Sequence, residues 1–265
     1  MLFVLSPAKR LDFSEHPNAA LATAPRMKDD TASLAVTTRR LTGPDLKRLM
    51  SLSDDLAKLN RERFKVFDAE RAGNLPAALA FAGDVYQGLD ARSLPAADLN
   101  WAQAHVRILS GLYGVLRPLD AIQPYRLEMG TKVRTRRGAN LYDFWGDRIA
   151  KQLMADLDGQ KAGVVVNLAS EEYFGAVDRK ALTAPVIDVR FEETKDDEHR
   201  ILSFFAKKAR GLMARWAVER RVEALEDLKG FDSEGYRFIK GASNEAEWTF
   251  RRRQPEPVAA RRAAS

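Results

Sequence analysis

The chain has 265 residues, of which 45% are apolar and 30% charged, and it contains no cysteine. This length and apolar content allow a sizeable core and exclude intrinsic disorder for most of the chain. The absence of cysteine excludes disulfides and thiolate metal sites, and it fits a reducing compartment.

The net charge of +6 is concentrated near the C-terminal end. Five of the 43 basic residues and one of the 37 acidic residues lie in residues 251–265, so this segment carries +4 of the total. We expect a single domain over residues 1–253 and a flexible Arg-containing tail over residues 254–265. A cationic tail can add weak affinity for phosphates, although a solvated terminus explains the same composition.

The first half of the chain contains two strand-like runs and a helical pattern between them. The apolar runs MLFVLS and VRILSG predict buried strands, the first of which ends at the breaker Pro7. Between residues 31 and 71, leucines recur every three to five residues, which predicts two helices joined by the connector LTGPD. Short helices separated by Gly83, Gly88 and Pro95 are expected next.

The second half alternates helix and strand patterns. NLYDFWGDRIAKQLMADL predicts a helix capped by Asn140, AGVVVNLAS a buried strand, and SEEYFGAV a helix capped by Ser170. APVIDVRFEE and RILSFFAK are predicted as neighbouring strands, and GYRFI and EWTFRRR as a hairpin around KGASNEA. The chain is therefore predicted to be a single compact α/β domain, with a mixed β-sheet covered by helices.

Common catalytic and metal motifs are absent from the sequence. It has no GxGxxG, GxxxxGK[ST] or GxSxG motif, and its three histidines lie far apart. We therefore predict no metal site and no cofactor. The segment DDEH at 196–199 could bind a cation loosely, but its composition is also that of a solvated hairpin turn. No run of about 18 apolar residues occurs, so we expect no membrane contact and a cytoplasmic location.

A polar cluster ends the long segment SGLYGVLRPLDAIQPYRLEMGTK, residues 110–132. Arg126 and Lys132 are cations suited to phosphate or carboxylate, and Tyr125 offers a ring for stacking. Glu128 is a candidate general base or an orienting partner for Arg126. The alternative is a structural salt-bridge cluster that pins the long segment to the core.

Two further polar groups follow predicted strands, where open α/β sheets commonly bind ligands. Ser6 and Lys9, with Arg10, follow the first strand. The second group follows AGVVVNLA and comprises Asn167, Ser170, Glu172 and Tyr173. Helix capping by Ser170 and satisfaction of backbone groups by Asn167 would explain these residues without any ligand.

Basic residues occur on two predicted helical elements. Lys207, Lys208 and Arg210 give one helix a positive side that could follow a phosphate backbone, although basic side chains commonly solvate an outer helix face. In the LTGPD connector, Gly43 permits a helix-hairpin-helix geometry, with Lys47 and Arg48 as neighbouring charges. Such connectors also join helices in proteins that bind no nucleic acid.

Five blocks of the sequence resemble the YaaA family of bacterial peroxide-stress proteins. They are SPAKRLDF at 6–13, LSGLYGVLRPLDAIQPYRLEMGTK at 109–132, NLASEEYF at 167–174, FFAKKARGLMARW at 204–216 and GFDSEGYRF at 230–238. The resemblance implies a compact α/β fold with a positively charged cleft, a helix-hairpin-helix element and DNA binding. It also implies a role in limiting peroxide damage, together with lower available iron. Arg10 departs from the family pattern, which often has threonine there.

Three functions remain open at this point. The first is a DNA-binding stress protein whose cleft gathers phosphate-binding cations and protects DNA, with an indirect effect on iron. The second is an enzyme acting on a nucleobase, nucleotide or related anion, with Glu128 and Glu172 as candidate catalytic residues. The third, direct iron sequestration, has the least support because no histidine-carboxylate ligand set is visible. The sequence sets no oligomeric state.

Overall fold

A computed structural model describes residues 1–256 of the chain. Ten β-strands are present among them: β1 (Leu2–Leu5), β2 (Leu75–Pro76), β3 (Val106–Ser110), β4 (Gly114–Leu116), β5 (Ala121–Ile122), β6 (Val165–Leu168), β7 (Val186–Lys195), β8 (Glu198–Arg200), β9 (Arg237–Phe238) and β10 (Glu247–Arg253). Strands β2 and β5 form a small antiparallel pair, and the other strands belong to one larger sheet.

Ten α-helices lie in the same part of the chain: α1 (Lys28–Thr38), α2 (Gly43–Met50), α3 (Asp54–Val66), α4 (Ala77–Ala80), α5 (Asp84–Leu89), α6 (Ala96–His105), α7 (Leu141–Trp145), α8 (Arg148–Leu157), α9 (Glu171–Phe174) and α10 (Ser203–Arg220). Short 3-10 helices occupy Pro17–Leu21, Ala91–Ser93, Leu225–Gly230, Ser233–Gly235 and Lys240–Ala242. The predicted α/β class with a mixed sheet is confirmed.

The large sheet has the strand order β4-β3-β1-β6-β7-β10-β9, with β8 paired to β7. The five strands from β3 to β10 are parallel, whereas β4, β8 and β9 pair in antiparallel fashion. Strand β1 pairs with β3 on one side and with β6 on the other, and its four successive side chains are buried on both faces of the sheet. The continuous apolar run at the start of the chain is therefore a central strand.

The order of the parallel strands reverses direction beside β1. The chain passes from β1 to β3 on one side, and then crosses to β6, β7 and β10 on the other. Loops that leave β1 and β6 at their carboxyl ends consequently diverge, which opens a crevice between them. Ser6 follows β1 in this crevice, and Ala169 and Ser170 follow β6.

Helix α10 packs closely against α5 through two glycines, and it also contacts β1, β6 and β7. A Cβ atom added at Gly88 would lie 2.1 Å from the carbonyl oxygen of Lys208, and one added at Gly211 would lie 1.8 Å from that of Val85. Gly88 was predicted to separate two helices, but it lies inside α5, where it allows the backbones to approach.

Three local predictions are wrong. RILSFFAK was expected to be a strand, but the strand β8 ends at Arg200 and α10 begins at Ser203. NLYDFWGDRIAKQLMADL forms two helices instead of one, because Gly146 adopts a φ of 50° between them. The leucine-rich region contains three helices, α1 to α3, rather than two.

Other predictions in the same regions are confirmed. The Asn140 side chain caps α7 by accepting a hydrogen bond from the Asp143 amide, and β9 and β10 form the expected hairpin.

Within residues 1–256, no helix combines the length and apolarity required to cross a bilayer. Most of the predicted Arg-containing tail, from residue 257 onward, lies outside the described residues.

Candidate functional site

The loops after β1 and β6 are joined through Ser6 and Ser170. The Ser170 amide donates a hydrogen bond to Oγ of Ser6 at 2.8 Å, and the Ser6 hydroxyl donates to Oγ of Ser170 at 3.3 Å. Tyr86 of α5 donates its hydroxyl to the Ser6 carbonyl at 3.1 Å. Ser170 occupies the N-cap position of α9 as predicted, but its side chain contacts Ser6 and makes no capping hydrogen bond to the helix.

A cavity of about 320 Å³ lies beside this junction, and we call it the Ser6 cavity. Its lining includes Ser6, Lys9, Ser170, Glu172, Tyr173, Lys207 and Arg210. These residues come from the loop after β1, from the start of α9 and from α10. The structure therefore brings together three segments that the sequence indicated separately, at the crevice where open α/β sheets bind ligands.

Arg210 has the most unusual environment in the cavity. No hydrogen-bond partner is present for its buried Nε among the described residues. Burial lowers the pKa of the Arg210 guanidinium, and the nearby charge of Glu171 opposes that shift. A guanidinium still carries its charge after such a shift, so an unpartnered donor here favours the binding of an anion.

Glu128 does not line the Ser6 cavity but neutralises two of the predicted cations. Its Oε2 lies 2.8 Å from Nζ of Lys9, and its Oε1 lies 2.9 Å from a terminal nitrogen of Arg126. Arg126 and Glu128 are mostly buried, whereas the side chain of Lys9 is 63% exposed. The salt-bridge alternative therefore describes the geometry of Arg126 and Glu128, while Lys9 also lines the cavity.

Glu172 lies in the cavity lining, and the segment that follows Glu128 orients it. Its Oε1 accepts a hydrogen bond from the Gly130 amide at 2.9 Å, and its carbonyl accepts one from the Tyr142 hydroxyl. The two candidate catalytic carboxylates are therefore separated in role: Glu172 is available to a ligand, and Glu128 is held by Lys9 and Arg126.

The tyrosines at this site are buried. The hydroxyl of Tyr125 lies 2.6 Å from Oγ of Ser110, and its ring packs edge-on against Tyr113. Burial raises the pKa of both Tyr125 and Tyr173, and the charge of Glu172 raises that of Tyr173 further. Both phenols are consequently protonated at neutral pH. Only 5% of Tyr125 and 9% of Tyr173 is exposed, so neither ring is free to stack on a base.

Asn167 lines a neighbouring cavity of about 560 Å³ instead of the Ser6 cavity. Its side-chain amide donates to Asp188 at 2.7 Å and accepts from the Ala169 amide at 2.9 Å. The second contact is the backbone satisfaction that the sequence left open as an alternative. Arg210 lines both cavities, so they meet at this side chain.

Two other predicted cations lie away from the cavity lining. The ammonium group of Lys208 forms an ion pair with Glu234, which also binds Arg252. Lys132 is exposed, two residues beyond Gly130. The cavity also contains Asp84, the first residue of α5, which the sequence gave no reason to select because a first-turn carboxylate is common in helices.

The LTGPD connector forms a capped helix start. Thr42 and Asp45 make a reciprocal capping box, in which the Asp45 amide donates to the Thr42 side chain and the Asp45 carboxylate accepts from the Thr42 amide. Arg48 pairs with Asp45, and Lys47 pairs with Asp54 of α3. Helix α2 packs on α3, the helix that follows it. A helix-hairpin-helix element at Gly43 is not confirmed.

Metal ligation has no geometric support within residues 1–256, where no three histidine, aspartate or glutamate residues come together in a way that could hold an ion.

Comparison with known proteins covers almost the entire chain. The family model described as "Peroxide stress protein YaaA" matches residues 1–242. The chain therefore belongs to the YaaA family. A UPF0246 protein of Phenylobacterium zucineum is 60% identical over 262 residues, which cover 99% of this chain and 98% of that protein.

Further relatives agree with this assignment to the YaaA family. A UPF0246 protein of Caulobacter vibrioides is 57% identical, over 96% of this chain and all of its own length. One from Maricaulis maris is 55% identical over the whole length of both chains. The resemblance carried by the five sequence blocks is confirmed.

Proposed function

We propose that this YaaA-family protein acts in the cytoplasm during peroxide stress by binding DNA through phosphate contacts at the Ser6 cavity. The observation that carries the proposal is the presence of Lys207 and Arg210 on one cavity, where Lys9 from a distant segment lies beside them although it also pairs with Glu128. Binding would shield the DNA it covers, and any effect on iron would be indirect. The family assignment supports the stress role.

The expected contacts differ from those suggested by the sequence alone. The guanidinium of Arg210 can donate to two phosphate oxygens, and the ammonium group of Lys207 adds a second charge. Lys9 and Arg126 already share Glu128, and Lys208 is paired with Glu234. Three of the predicted cations therefore remain for phosphates: Lys207 and Arg210 in the cavity lining, and the exposed Lys132 outside it. Neutralising three phosphates of duplex DNA gives a salt slope of about −3, instead of the value near −5 for six.

A pair of adjacent lysines on α10 tests the proposal. Lys207→Gln should weaken binding of a fluorescent 20-base-pair duplex and lower the salt slope by about 1, because Lys207 lines the cavity. Lys208→Gln removes the same charge one residue away, where it faces Glu234, and should leave the affinity unchanged. Fluorescence anisotropy from 50 to 200 mM salt measures both effects.

Substitutions in the predicted tail define the outcome that would contradict the proposal. If Lys207→Gln and Arg210→Gln bind as tightly as the parent, while Arg261→Gln with Arg262→Gln abolishes binding, the cavity is not the DNA site. Circular dichroism melts of each variant would separate a lost contact from a lost fold.

A second candidate function is supported by the carboxylate in the cavity. A groove for phosphates alone would gain nothing from Glu172, whereas chemistry on a nucleotide or nucleobase needs a general base or acid. The volume of about 320 Å³ lies at the lower end of the range for small-molecule pockets. In this role Arg210 would bind a phosphate, and Glu172 would accept a proton from the substrate or from water.

The two functions predict opposite effects of Glu172→Gln. Removing this negative charge should not weaken DNA binding, but it should abolish turnover of a nucleotide by removing the base. Incubation with a panel of nucleotides, followed by chromatography of the products, tests this. Equal turnover by the parent and by Glu172→Gln would reject Glu172 as the base. The absence of any product from the parent would reject the proposed enzymatic activity on these nucleotides.

The helix-hairpin-helix prediction also remains a proposal. Phosphate binding at Gly43 would have to compete with the Asp45 carboxylate, which already occupies the start of α2. Asp45→Asn should therefore strengthen DNA binding if this connector is used, and should leave it unchanged if it is not.

A further inference from the structure

A second cationic surface lies between the C-terminal end of α1 and the segment 134–137. Four arginines line this groove, whose volume is about 560 Å³: Arg40, Arg134, Arg136 and Arg137. The remaining lining includes Val36, Leu41 and Phe144. We call it the arginine groove. The sequence motif RTRR at 134–137 is its only local signal, and that motif was not among the candidate sites.

The segment 134–137, which carries three of the four arginines, forms a defined turn. The Thr135 amide donates to the Gly138 carbonyl at 2.9 Å, and the Arg137 amide donates to Oγ1 of Thr135 at 3.0 Å. The guanidinium of Arg137 lies 4.6 Å from the centre of the Phe144 ring and pairs with Asp30. Arg137 is thus a fixed wall of the groove.

The other three arginines are available to a ligand. Arg40, Arg134 and Arg136 are exposed, and no carboxylate within residues 1–256 forms an ion pair with any of them. Among residues 1–256, no acidic residue lines the groove, in contrast to the Ser6 cavity with Asp84 and Glu172. A lining of arginines without carboxylates suits an anion that is bound by charge and fork geometry, without chemistry.

The segment between the two surfaces carries a further cation. Gly130 donates its amide to Glu172 at the Ser6 cavity, and the chain reaches Arg134 four residues later. Thr131 and Val133 are buried, which pins the segment to the core, whereas Lys132 and Arg134 are exposed. Exposed cations consequently lie along the stretch of chain that connects the cavity to the groove.

We infer that the arginine groove binds the phosphodiester backbone of nucleic acid, as a contact surface separate from the Ser6 cavity. The choice of partner rests on the proposed DNA binding. The surface itself rests on three arginines that form no ion pair within residues 1–256 and that share the groove with apolar side chains such as Phe144. Arg40, Arg134 and Arg136 contact successive stretches of backbone phosphate, and they add about 3 to the magnitude of the salt slope.

The test compares three double variants of the full chain against one fluorescent 20-base-pair duplex. Arg134→Gln with Arg136→Gln should lower affinity at least about tenfold at 0.1 M salt and reduce the salt slope by about 2. Lys207→Gln with Arg210→Gln removes two charges from the Ser6 cavity. Lys180→Gln with Lys195→Gln is the matched control, because these exposed lysines line neither surface.

The outcomes separate this inference from the proposed function. An unchanged affinity in the groove variant, with a loss in the cavity variant, would overturn the groove and leave the proposed function standing. The opposite pattern would support the groove and reject the Ser6 cavity as the DNA site. Equal losses in the groove and control variants would also overturn the inference, since they would report net charge alone. Loss of binding to vesicles of anionic lipid, without loss of DNA binding, would assign the groove to membranes and contradict it.

Discussion

The Ser170 amide donates a hydrogen bond to the Ser6 hydroxyl oxygen, so one side chain connects the ends of two adjacent parallel strands. Ser6 is only 8% exposed. The chain leaves β1 towards β3 and leaves β6 towards β7, so the loops after the two strands run to opposite sides of this bond. This bond therefore joins the two loops whose serines both line the Ser6 cavity.

Ser6→Ala should lower the free energy of unfolding by about 1–3 kcal/mol, because it leaves the Ser170 amide without its partner. Urea denaturation measures this loss. The same variant should weaken any ligand of the Ser6 cavity, since the loops after β1 and β6 are no longer joined. Ser203→Ala removes an exposed hydroxyl at the start of α10 and should change neither quantity. If Ser6→Ala changes neither the free energy of unfolding nor ligand binding, the loops after β1 and β6 are held by other contacts.

Gly211→Ala should separate α10 from α5. The added methyl group would lie 1.8 Å from the Val85 carbonyl oxygen and 2.7 Å from the Leu89 amide nitrogen, and backbone atoms cannot move aside as a side chain would. We expect a loss of at least about 1–3 kcal/mol in unfolding free energy and displacement of Arg210, the preceding residue. Thermal melts and the DNA titration together measure both consequences.

Gly163→Ala is the matched control for this prediction. In the part of the chain that the structure describes, no atom lies within 4 Å of a Cβ added at Gly163, and the φ of Gly163 is not in the left-handed region. The substitution should be neutral or stabilise the fold by about 0.4–1 kcal/mol through the unfolded chain. Equal stability of the two variants would reject the close approach of α5 and α10.

Asp156→Asn should be the most destabilising single charge removal in this set. The Asp156 carboxylate binds Arg107 at 2.5 Å and Arg26 at 2.6 Å, and the Arg107 side chain is only 4% exposed. Removing the carboxylate leaves the Arg107 charge buried and uncompensated, at a cost of about 3–5 kcal/mol. Asp147→Asn breaks an exposed pair with Lys151 and should cost much less. Urea denaturation at neutral pH checks the difference.

The ion pairs of Asp156 with Arg26 and Arg107 also predict how the stability of the fold depends on pH. Burial tends to raise the pKa of Asp156, but the hydrogen bonds from Arg26 and the charge of Arg107 outweigh it and hold that pKa below its usual value. The contribution of the ionised Asp156 carboxylate to the free energy of unfolding is therefore complete above the unfolded-state pKa of about 3.9. It is lost as the pH falls through the lower pKa of the folded state. Asp156→Asn should flatten the stability profile below about pH 4, and a parallel profile would contradict this.

The elements that could be predicted from the sequence are those with a local signal. The apolar runs of β1, β3 and β6 are buried on both faces of the sheet. Each could therefore be predicted as a strand without knowing which elements pack against it. RILSFFAK failed because Phe204 is exposed at the start of α10, and an apolar residue there resembled strand alternation. The close packing at Gly88 could not be foreseen, because it depends on α10, more than 100 residues later.

In the candidate site, too, some features could be predicted from the sequence and others could not. The polar loops after β1 and β6 were found because parallel strands present their carboxyl ends at one edge. The pairing of Glu128 with Lys9 and Arg126 could not be deduced, since a carboxylate two residues from an arginine can serve as a partner or as a base. Lys207 and Lys208 are neighbours in sequence, yet only Lys207 lines the Ser6 cavity, because side chains on a helix diverge by about 100° per residue.

Glu128→Gln should tighten DNA binding, in contrast to the other substitutions at this site. The Glu128 carboxylate neutralises Lys9 and Arg126, so its removal frees two cations, of which Lys9 lines the Ser6 cavity, and steepens the salt slope by up to about 2. Glu234→Gln releases Lys208 and Arg252, which do not line the cavity, and should leave DNA affinity unchanged. Anisotropy titrations of the two variants over a range of salt measure the contrast. Weaker binding by Glu128→Gln would mean that the carboxylate serves to position Lys9 toward the ligand, because the loss of orientation would then exceed the gain in charge.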